Sequence, residues 1–229
     1  MKLAVAEVAS VPLDILYQRA RYILRHEGWW AFIRQGFAFV GNLFFSYGNY
    51  YIYEKDLNSI DEEIKIRPKV DCTLKIISNL DELDELIVQS YDFKAMPFRP
   101  RLERSAIAFC LFVGQELASV TWVAPSKEAK KEIDYLPFKV NFEAREVCSG
   151  ASFTAPAHRG KGLLAYTYSY IFPYLANNSI SKDKFSIEVN NIASQKAHAK
   201  FNPLITSKGR YLKIFWWEFW KELPMEEAK

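Results

Sequence analysis

"ASFTAPAHRGKGLLAYTYSYIF", residues 151–172, changes character twice within a few positions. Small and apolar residues lead into Thr154-Ala155-Pro156, then Arg159-Gly160-Lys161-Gly162 follow, and an amphipathic run starts at once. A surface turn needs one glycine at most. Two glycines and two cations directly ahead of a helix point to a docked anion, since a helix N-terminus offers unpaired N–H groups and the positive end of its dipole. Glycines at that place let the N–H groups approach a phosphate closely. The stretch therefore reads as strand, pyrophosphate cradle, helix. No GxxxxGK[ST] loop occurs, and no GxGxxG fingerprint stands at the first βα turn, which excludes two familiar phosphate motifs.

Working outward, "FEAREVCSGASFT" (142–154) is the strand that feeds the cradle. The helix over 161–175 is expected to kink or end at Pro173. "KFSIEVN" (184–190) alternates, with Phe185, Ile187 and Val189 on one side, and "NIASQKAHAKF" (191–201) is helical. "RYLKIFWWEFW" (210–220) reads as a last strand, with Trp216, Glu218 and Trp220 on one face. Upstream, "CTLKIIS" (72–78) is a strand and "NLDELDELIVQSYDF" (79–93) a helix opened by Asn79 or Asp81. "RPRLERSA" (99–106) is a short helix, and two apolar strands flank Gly114-Gln115 as a hairpin. Residues 125–141 form a charged insertion, large enough for a lid. This order lacks strict βαβ regularity and predicts an α+β fold: a mixed, mostly antiparallel central sheet flanked by helices.

Residues 14–47 read as an amphipathic helix, with Arg19, Arg21, Arg25 and Arg34 among large apolar side chains. The run from Trp29 to Phe45 is too interrupted for a span, which needs ~20 apolar residues. It either packs on the main domain or lies in a membrane interface, with arginines at the headgroups. "NYYIYEKDL" (49–57) is a strand, and "NSIDEEIKIRPKVD" (58–71) is polar and carries Pro68. The expected division is an N-terminal helical extension with one strand over 1–57, a linker over 58–71, and the main domain over 72–229.

Bulk properties narrow the function. The chain has 229 residues, 50% hydrophobic and 25% charged, an ordinary globular composition. Its net charge of +3 comes with no arginine-lysine stripe, so nucleic acid is not the expected partner. The three cysteines, Cys72, Cys110 and Cys148, form no CxxC, and the first residues do not read as a secretory leader, so a reducing cytoplasmic compartment is expected. The three histidines, His26, His158 and His198, are scattered, and no metal site is expected.

"TAPAHRGKGLL" resembles the pyrophosphate-binding motif of the GNAT acetyltransferase superfamily, Arg/Gln-x-x-Gly-x-Gly/Ala, with Arg159, Gly162 and Leu164 in the pattern's places. Leu164 stands where a small residue is usual. "VNNIASQKAHAKF" is similar to the family's Asn-x-Ala-Ser helix through Asn191, Ala193, Ser194 and Lys200. His198 occupies the place of the family's Tyr, and Asn202-Pro203 that of Gly-Phe. The element order agrees over roughly 72–220, while the first 57 residues find no counterpart.

The resemblance implies coenzyme A binding and acyl transfer, with acetyl coenzyme A as acyl-donor cosubstrate. The pyrophosphate would rest on the main chain of Arg159, Gly160, Lys161, Gly162, Leu163 and Leu164. The pantetheine arm would pair like an added strand with backbone at Ser152, Phe153 and Thr154. Asn191 and Ser194 would reach the arm. Transfer to an amine needs a base, an oxyanion donor and a proton for the leaving thiolate. Glu146 is the candidate base, on the strand where similar histone-acetylating enzymes carry a Glu; period-two alternation puts it on one face with Cys148, Gly150 and Ser152. His198 is the candidate acid, active if its pKa stays near ~6.5. Cys148 reads as a small buried hydrophobe. The acceptor is expected to be a small-molecule amine, selected by loops 92–100 and 125–141. Two other readings stay open: a long-chain acyltransferase using an acyl-carrier thioester at the inner membrane face, touching it peripherally through residues 14–47, and a non-catalytic binding protein of the same fold. A homodimer contact through the aromatic C-terminus also stays open.

Overall fold

The computed structural model describes residues 29–30, 45–58, 66–93 and 98–225. In chain order the elements are β1 (Phe45–Asp56), β2 (Thr73–Ile77), α1 (Leu80–Val88), α2 (Arg99–Glu103), β3 (Ile107–Val113), β4 (Glu116–Ala124), α3 (Lys127–Ile133), β5 (Glu146–Thr154), α4 (Leu163–Asn177), β6 (Lys182–Glu188), α5 (Ile192–His198), β7 (Leu204–Ile214) and β8 (Trp217–Pro224). The strands form one sheet in the order β2-β3-β4-β5-β6-β1-β7-β8. Pairs β2–β3, β3–β4, β4–β5 and β1–β6 are antiparallel, whereas β5–β6 is parallel. The fold is α+β, a mostly antiparallel sheet flanked by helices, as the sequence predicts.

The chain divides into two units, one comprising 50–209 and 222–229, the other 1–49 and 210–221. In the first, β3 and β4 are buried almost end to end, because helices cover both faces. Phe109, Val123 and Val147 meet Ala165, Tyr168, Ile171, Phe172 and Leu175 of α4 on one face. On the other, Trp122 packs against Phe98, which precedes α2, at 5.0 Å between ring centroids. Asn79 caps α1 by accepting from the Glu82 N–H at 2.9 Å, and Glu82 accepts in return from the Ser78 N–H at 2.7 Å. This reciprocal cap starts the helix where the sequence expects it.

Four expectations change. First, β1 pairs with β6 from Tyr50–Glu188 to Asp56–Lys182. Residues ahead of 58–71 thus add an interior strand to the sheet. Second, α4 runs through Pro173 to Asn177. Burial of Ile171, Phe172 and Leu175 on both sides of the proline holds the helix against a break worth ~3 kcal/mol. Third, the charged insertion is pinned rather than free: Tyr135 Oη lies 2.9 Å from Tyr50 Oη, Ser186 Oγ donates to Asp134 Oδ2 at 2.7 Å, and Leu136 and Phe138 are buried. Fourth, the aromatic tail is a hairpin, because Phe215 takes a positive φ of 54° and turns β7 into β8.

The second unit carries that turn, with Phe215, Trp216, Trp217 and Phe219 exposed and Lys213 Nζ 3.4 Å from Glu218 Oε1. Residues 45–47 belong to β1 rather than to a helix, and Trp29 and Trp30 are helical and exposed. The rest of the expected helix over 14–47 lies outside the described residues. Among the described residues no helix is long and apolar enough to cross a membrane.

Asn79→Ala should cost about 1 kcal/mol, the usual value of an N-cap, read as a lower urea midpoint at unchanged slope. An unchanged midpoint would contradict the cap assignment.

Candidate functional site

Two irregularities in β5 build the site. β6 pairs with it only at Glu146–Lys182, Val147–Asp183 and Cys148–Lys184. From Ser149 to Thr154 the main chain facing β6 therefore has no strand partner among the described residues. The ladder to β4 also slips by one residue: Trp122 faces Gly150 but Val120 faces Phe153, so Ala151 and Ser152 together oppose Thr121. This is a β-bulge, with Ala151 at φ 46°. The extra residue reverses the alternation. Ser152 joins the face of Ser149 and Thr121, with its Oγ 3.0 Å from Thr121 Oγ1, and not the face of Glu146 as simple periodicity expects.

Past β5, a single 3-10 turn over Pro156–His158 leads to the glycines. Gly160 and Gly162 take φ 73° and 81°, a region L side chains rarely adopt, and a Cβ on either would meet open space. Gly162 is the N-cap of α4, and among the described residues no side chain caps this end. The first-turn N–H groups thus keep the orphan character expected of a helix start. Arg159 Nε donates to the Thr154 carbonyl at 3.2 Å, folding the guanidinium back beside the strand end. Lys161 Nζ lies 3.3 Å from His158 Nδ1. His158 is buried, and its Nε2 has no hydrogen-bond partner among the described residues. That nitrogen stands 3.9 Å from Glu116 Oε1, so it is the uncapped helix start, and not His158, that has the chemistry an anion would satisfy. Leu163 is buried, and Leu164 packs its side chain on the core, so the residue that departs from the small-residue pattern serves packing.

Other expected residues sit as follows. Phe153 and Thr154 pair with Val120 and Ser119 of β4, and Ser119 Oγ donates to the Phe153 carbonyl at 2.9 Å. Asn191 is exposed at the head of α5, its Oδ1 accepting from the Ser194 N–H at 3.1 Å. Cys148 is fully buried, and burial holds its thiol well above the usual pKa.

Neither proposed proton-transfer residue stands as expected. Glu146 lies at the start of β5, the end still paired with β6 and away from the cradle. Its Oε2 accepts from the Asn141 N–H at 2.6 Å and is 3.0 Å from Lys184 Nζ. Burial pushes its pKa up, but the Asn141 and Lys184 contacts outweigh this and leave it lower than usual. That is a structural ion pair rather than a base. His198 is buried, its ring centroid 4.3 Å from Tyr168 and 4.6 Å from Phe185. Desolvation lowers its pKa to about 4, against the opposing effect of the Ser194 carbonyl, which accepts from Nδ1 at 2.8 Å. At neutral pH the ring is an uncharged core group and not a charged acid.

Sequence reasoning missed the polar cluster beneath the opening. Asp183 is fully buried; its Oδ1 accepts from the Ser149 N–H at 2.9 Å and its Oδ2 from Ser149 Oγ at 2.6 Å. Tyr168 Oη lies 3.0 Å from that same Ser149 Oγ. Burial raises the Asp183 pKa to about 7, opposed by the two Ser149 bonds, and burial also raises that of Tyr168. The signal was available: Asp183 shares the parity of Phe185 and Ile187, an acid in an apolar row. Among the described residues no cluster fit to hold a metal ion occurs.

No protein-family model and no curated protein matches the chain. Among solved structures it is similar to a putative acetyltransferase of the GNAT family from Novosphingobium aromaticivorans, at 8% identity and TM-score 0.48, over 73% of this chain and 64% of that one. It is similar to a GNAT-family acetyltransferase from Colwellia psychrerythraea, at 15% identity and TM-score 0.45, over 76% and 57%. A Drosophila protein shows 10% identity and TM-score 0.48, over 78% and 57%. Several further similar structures are also named GNAT or GCN5-related proteins. At these values the likeness describes shape and carries nothing about chemistry.

His198 gives a pH test. A folded pKa of about 4 against ~6.5 unfolded means the unfolded chain binds the proton first. Its contribution is present above pH ~6.5 and lost as pH falls toward 4. Asp183, raised to about 7, acts oppositely, favouring the fold more as pH falls through the same window. His198→Phe should therefore gain Tm relative to wild type progressively from pH 6.5 to 4. A pH-independent difference would contradict the buried neutral assignment.

Proposed function

We propose that this chain is a coenzyme A-dependent N-acyltransferase of GNAT type, passing an acetyl group from acetyl coenzyme A to a small-molecule amine by direct attack. One observation carries the reading: the opening between β5 and β6 leads straight to the uncapped, glycine-led start of α4. An extended arm with amides fits the unpaired strand edge, and a pyrophosphate fits the helix end. The resemblance of "TAPAHRGKGLL" and "VNNIASQKAHAKF" to the superfamily's motifs supports it independently of backbone geometry.

In this reading the main chain from Arg159 to Leu164 holds the pyrophosphate, with Lys161 and His158 beside it. Backbone at Ser152, Phe153 and Thr154 holds the pantetheine arm, and an N–H of that stretch stabilises the thioester oxyanion. Asn191, whose Oδ1 already caps α5, presents its Nδ2 to the arm, with Ser194 beside it. Bound coenzyme A thioester supplies the activated acyl group. The site lies in the unit containing 50–209 and requires no metal. Glu146 and His198 carry no proton in the scheme, so Glu146→Gln should leave turnover within about twofold, whereas a drop of tenfold or more would restore it as the base.

Isothermal titration with acetyl coenzyme A tests the binding. The expected result is saturable binding that Lys161→Ala weakens roughly tenfold, the scale of one charge-assisted hydrogen bond. Absence of binding and of any thermal shift would overturn the reading.

A further inference from the structure

The turn between β7 and β8 is built from residues that suit it poorly. Phe215 and Trp216 form a two-residue loop, and Phe215 holds a φ of 54°. Hairpin turns of this length favour Asn or Gly where φ is positive, and a bulky ring there carries strain. The rings do not recover that cost by packing inward. Phe215, Trp216, Trp217 and Phe219 are 52%, 77%, 61% and 54% exposed. They form one cluster, with centroids 5.8 Å apart for Phe215 and Trp216 and 5.9 Å for Trp216 and Trp217. A second strand end joins them. Thr206 Oγ1 donates to the Ile52 carbonyl at 3.2 Å, Lys208 Nζ lies over the Tyr51 ring, and Arg210 Nε donates to Asn49 Oδ1 at 3.5 Å. β7 therefore runs antiparallel to β1, and Phe45 and Tyr47, exposed at the start of β1, come level with the end of β7.

We propose that this aromatic end docks on an anionic bilayer surface, with Phe215, Trp216 and Trp217 entering the headgroup region and Lys213 and Lys221 held at the lipid phosphates. Shape and charge choose the occupant. A turn tip is convex and offers no groove to another protein's side chain, but it wedges between lipids. Trp joins an apolar ring to an N–H donor and is enriched where hydrocarbon meets water. Residues 210–221 carry Arg210, Lys213 and Lys221 against a single acid, Glu218, which Lys213 Nζ engages at 3.4 Å. The positive excess complements anionic headgroups. Lys213 stands two residues behind Phe215, roughly 7 Å along a strand. Apolar groups enter the interface by about 5–10 Å, so the ammonium meets the phosphates as the rings go under.

A second copy is the competing occupant, because β8 is an outer strand of the sheet and a second β8 would add at its edge. Its exposed Lys221 and Glu222 blunt that edge against pairing, whereas no charge interrupts the run from Phe215 to Trp217. The tip, and not the edge, is the part left apolar. A surface contact of this kind needs no crossing helix. It goes beyond the acyl-transfer reading and does not rest on it.

The test uses the full chain, without substrate, and vesicles of phosphatidylcholine alone or mixed with phosphatidylserine. The wild type should sediment with the mixed vesicles and less with the neutral ones. Trp216→Ser together with Trp217→Ser should lower partitioning at least tenfold. Lys213→Gln should lower it about fivefold on mixed vesicles and leave neutral ones unchanged. These side chains lie at the surface, so Tm should hold in each variant. Brominated acyl chains then locate the contact. They should quench tryptophan emission in the wild type, and Trp216→Phe with Trp217→Phe should still bind but lose most of the quenching. No sedimentation of the wild type with mixed vesicles overturns the proposal. Quenching that survives Trp216→Phe with Trp217→Phe also overturns it, since other tryptophans would then meet the lipid. A dimer that Trp216→Ser with Trp217→Ser dissolves, in a chain that ignores vesicles, assigns the end to a second copy instead. None of these outcomes bears on acetyl coenzyme A binding, which calorimetry decides separately.

Discussion

The structure depends on where β5 and β6 stop pairing. Their parallel ladder ends at Cys148–Lys184, and the bulge at Ala151–Ser152 turns the rest of β5 relative to β4. Edge groups that a closed sheet would satisfy are thereby left for something else. Ser149 finds its substitute in a carboxylate side chain. The residues after it run on to Pro156 and the glycines, so one strand supplies both an open edge and the approach to an uncapped helix.

The other end of the opening is tied shut. Glu54 of β1 meets Lys182 and Lys184 of β6 at 2.6 and 3.5 Å, and Lys184 reaches Glu146 of β5 at 3.0 Å. Four alternating charges lace three strands at the base. These ties hold β1, early in the chain, inside the sheet, where it pairs along the edge of β6 opposite β5. The same lacing engages Glu146, the carboxylate at the start of β5, as a tie between strands. The opposite face of β6 is apolar except for Asp183, and there α4 and His198 pack.

Much of this was legible. Glycines before an amphipathic run marked the turn into α4, since Gly160 and Gly162 are the residue type that their positive φ demands. Asn79, one of the two start signals read for α1, caps it through local hydrogen bonding alone. What escaped depends on contacts between distant residues. No local pattern announces a one-residue bulge, and that slip is what moved Ser152 to the face of Ser149. The burial of His198 follows from Tyr168 and Phe185 converging on it, thirty and thirteen positions upstream. Pro173 breaks helices in isolation, but the core contacts of Ile171 and Leu175 outweigh it. The place of β1 was invisible because strand order is set by pairing partners, here Tyr50–Asp56 with Lys182–Glu188, and not by sequence proximity.

The account stands or falls on main-chain amides at the opening and at the start of α4 gripping one ligand together. Amide chemical-shift mapping on the labelled chain, titrated with coenzyme A, addresses this directly. The account predicts saturating shifts concentrated in two runs, 149–154 and 159–165, with the base of β5 near Glu146 unmoved. Shifts confined elsewhere, or in only one of the two runs, would contradict it.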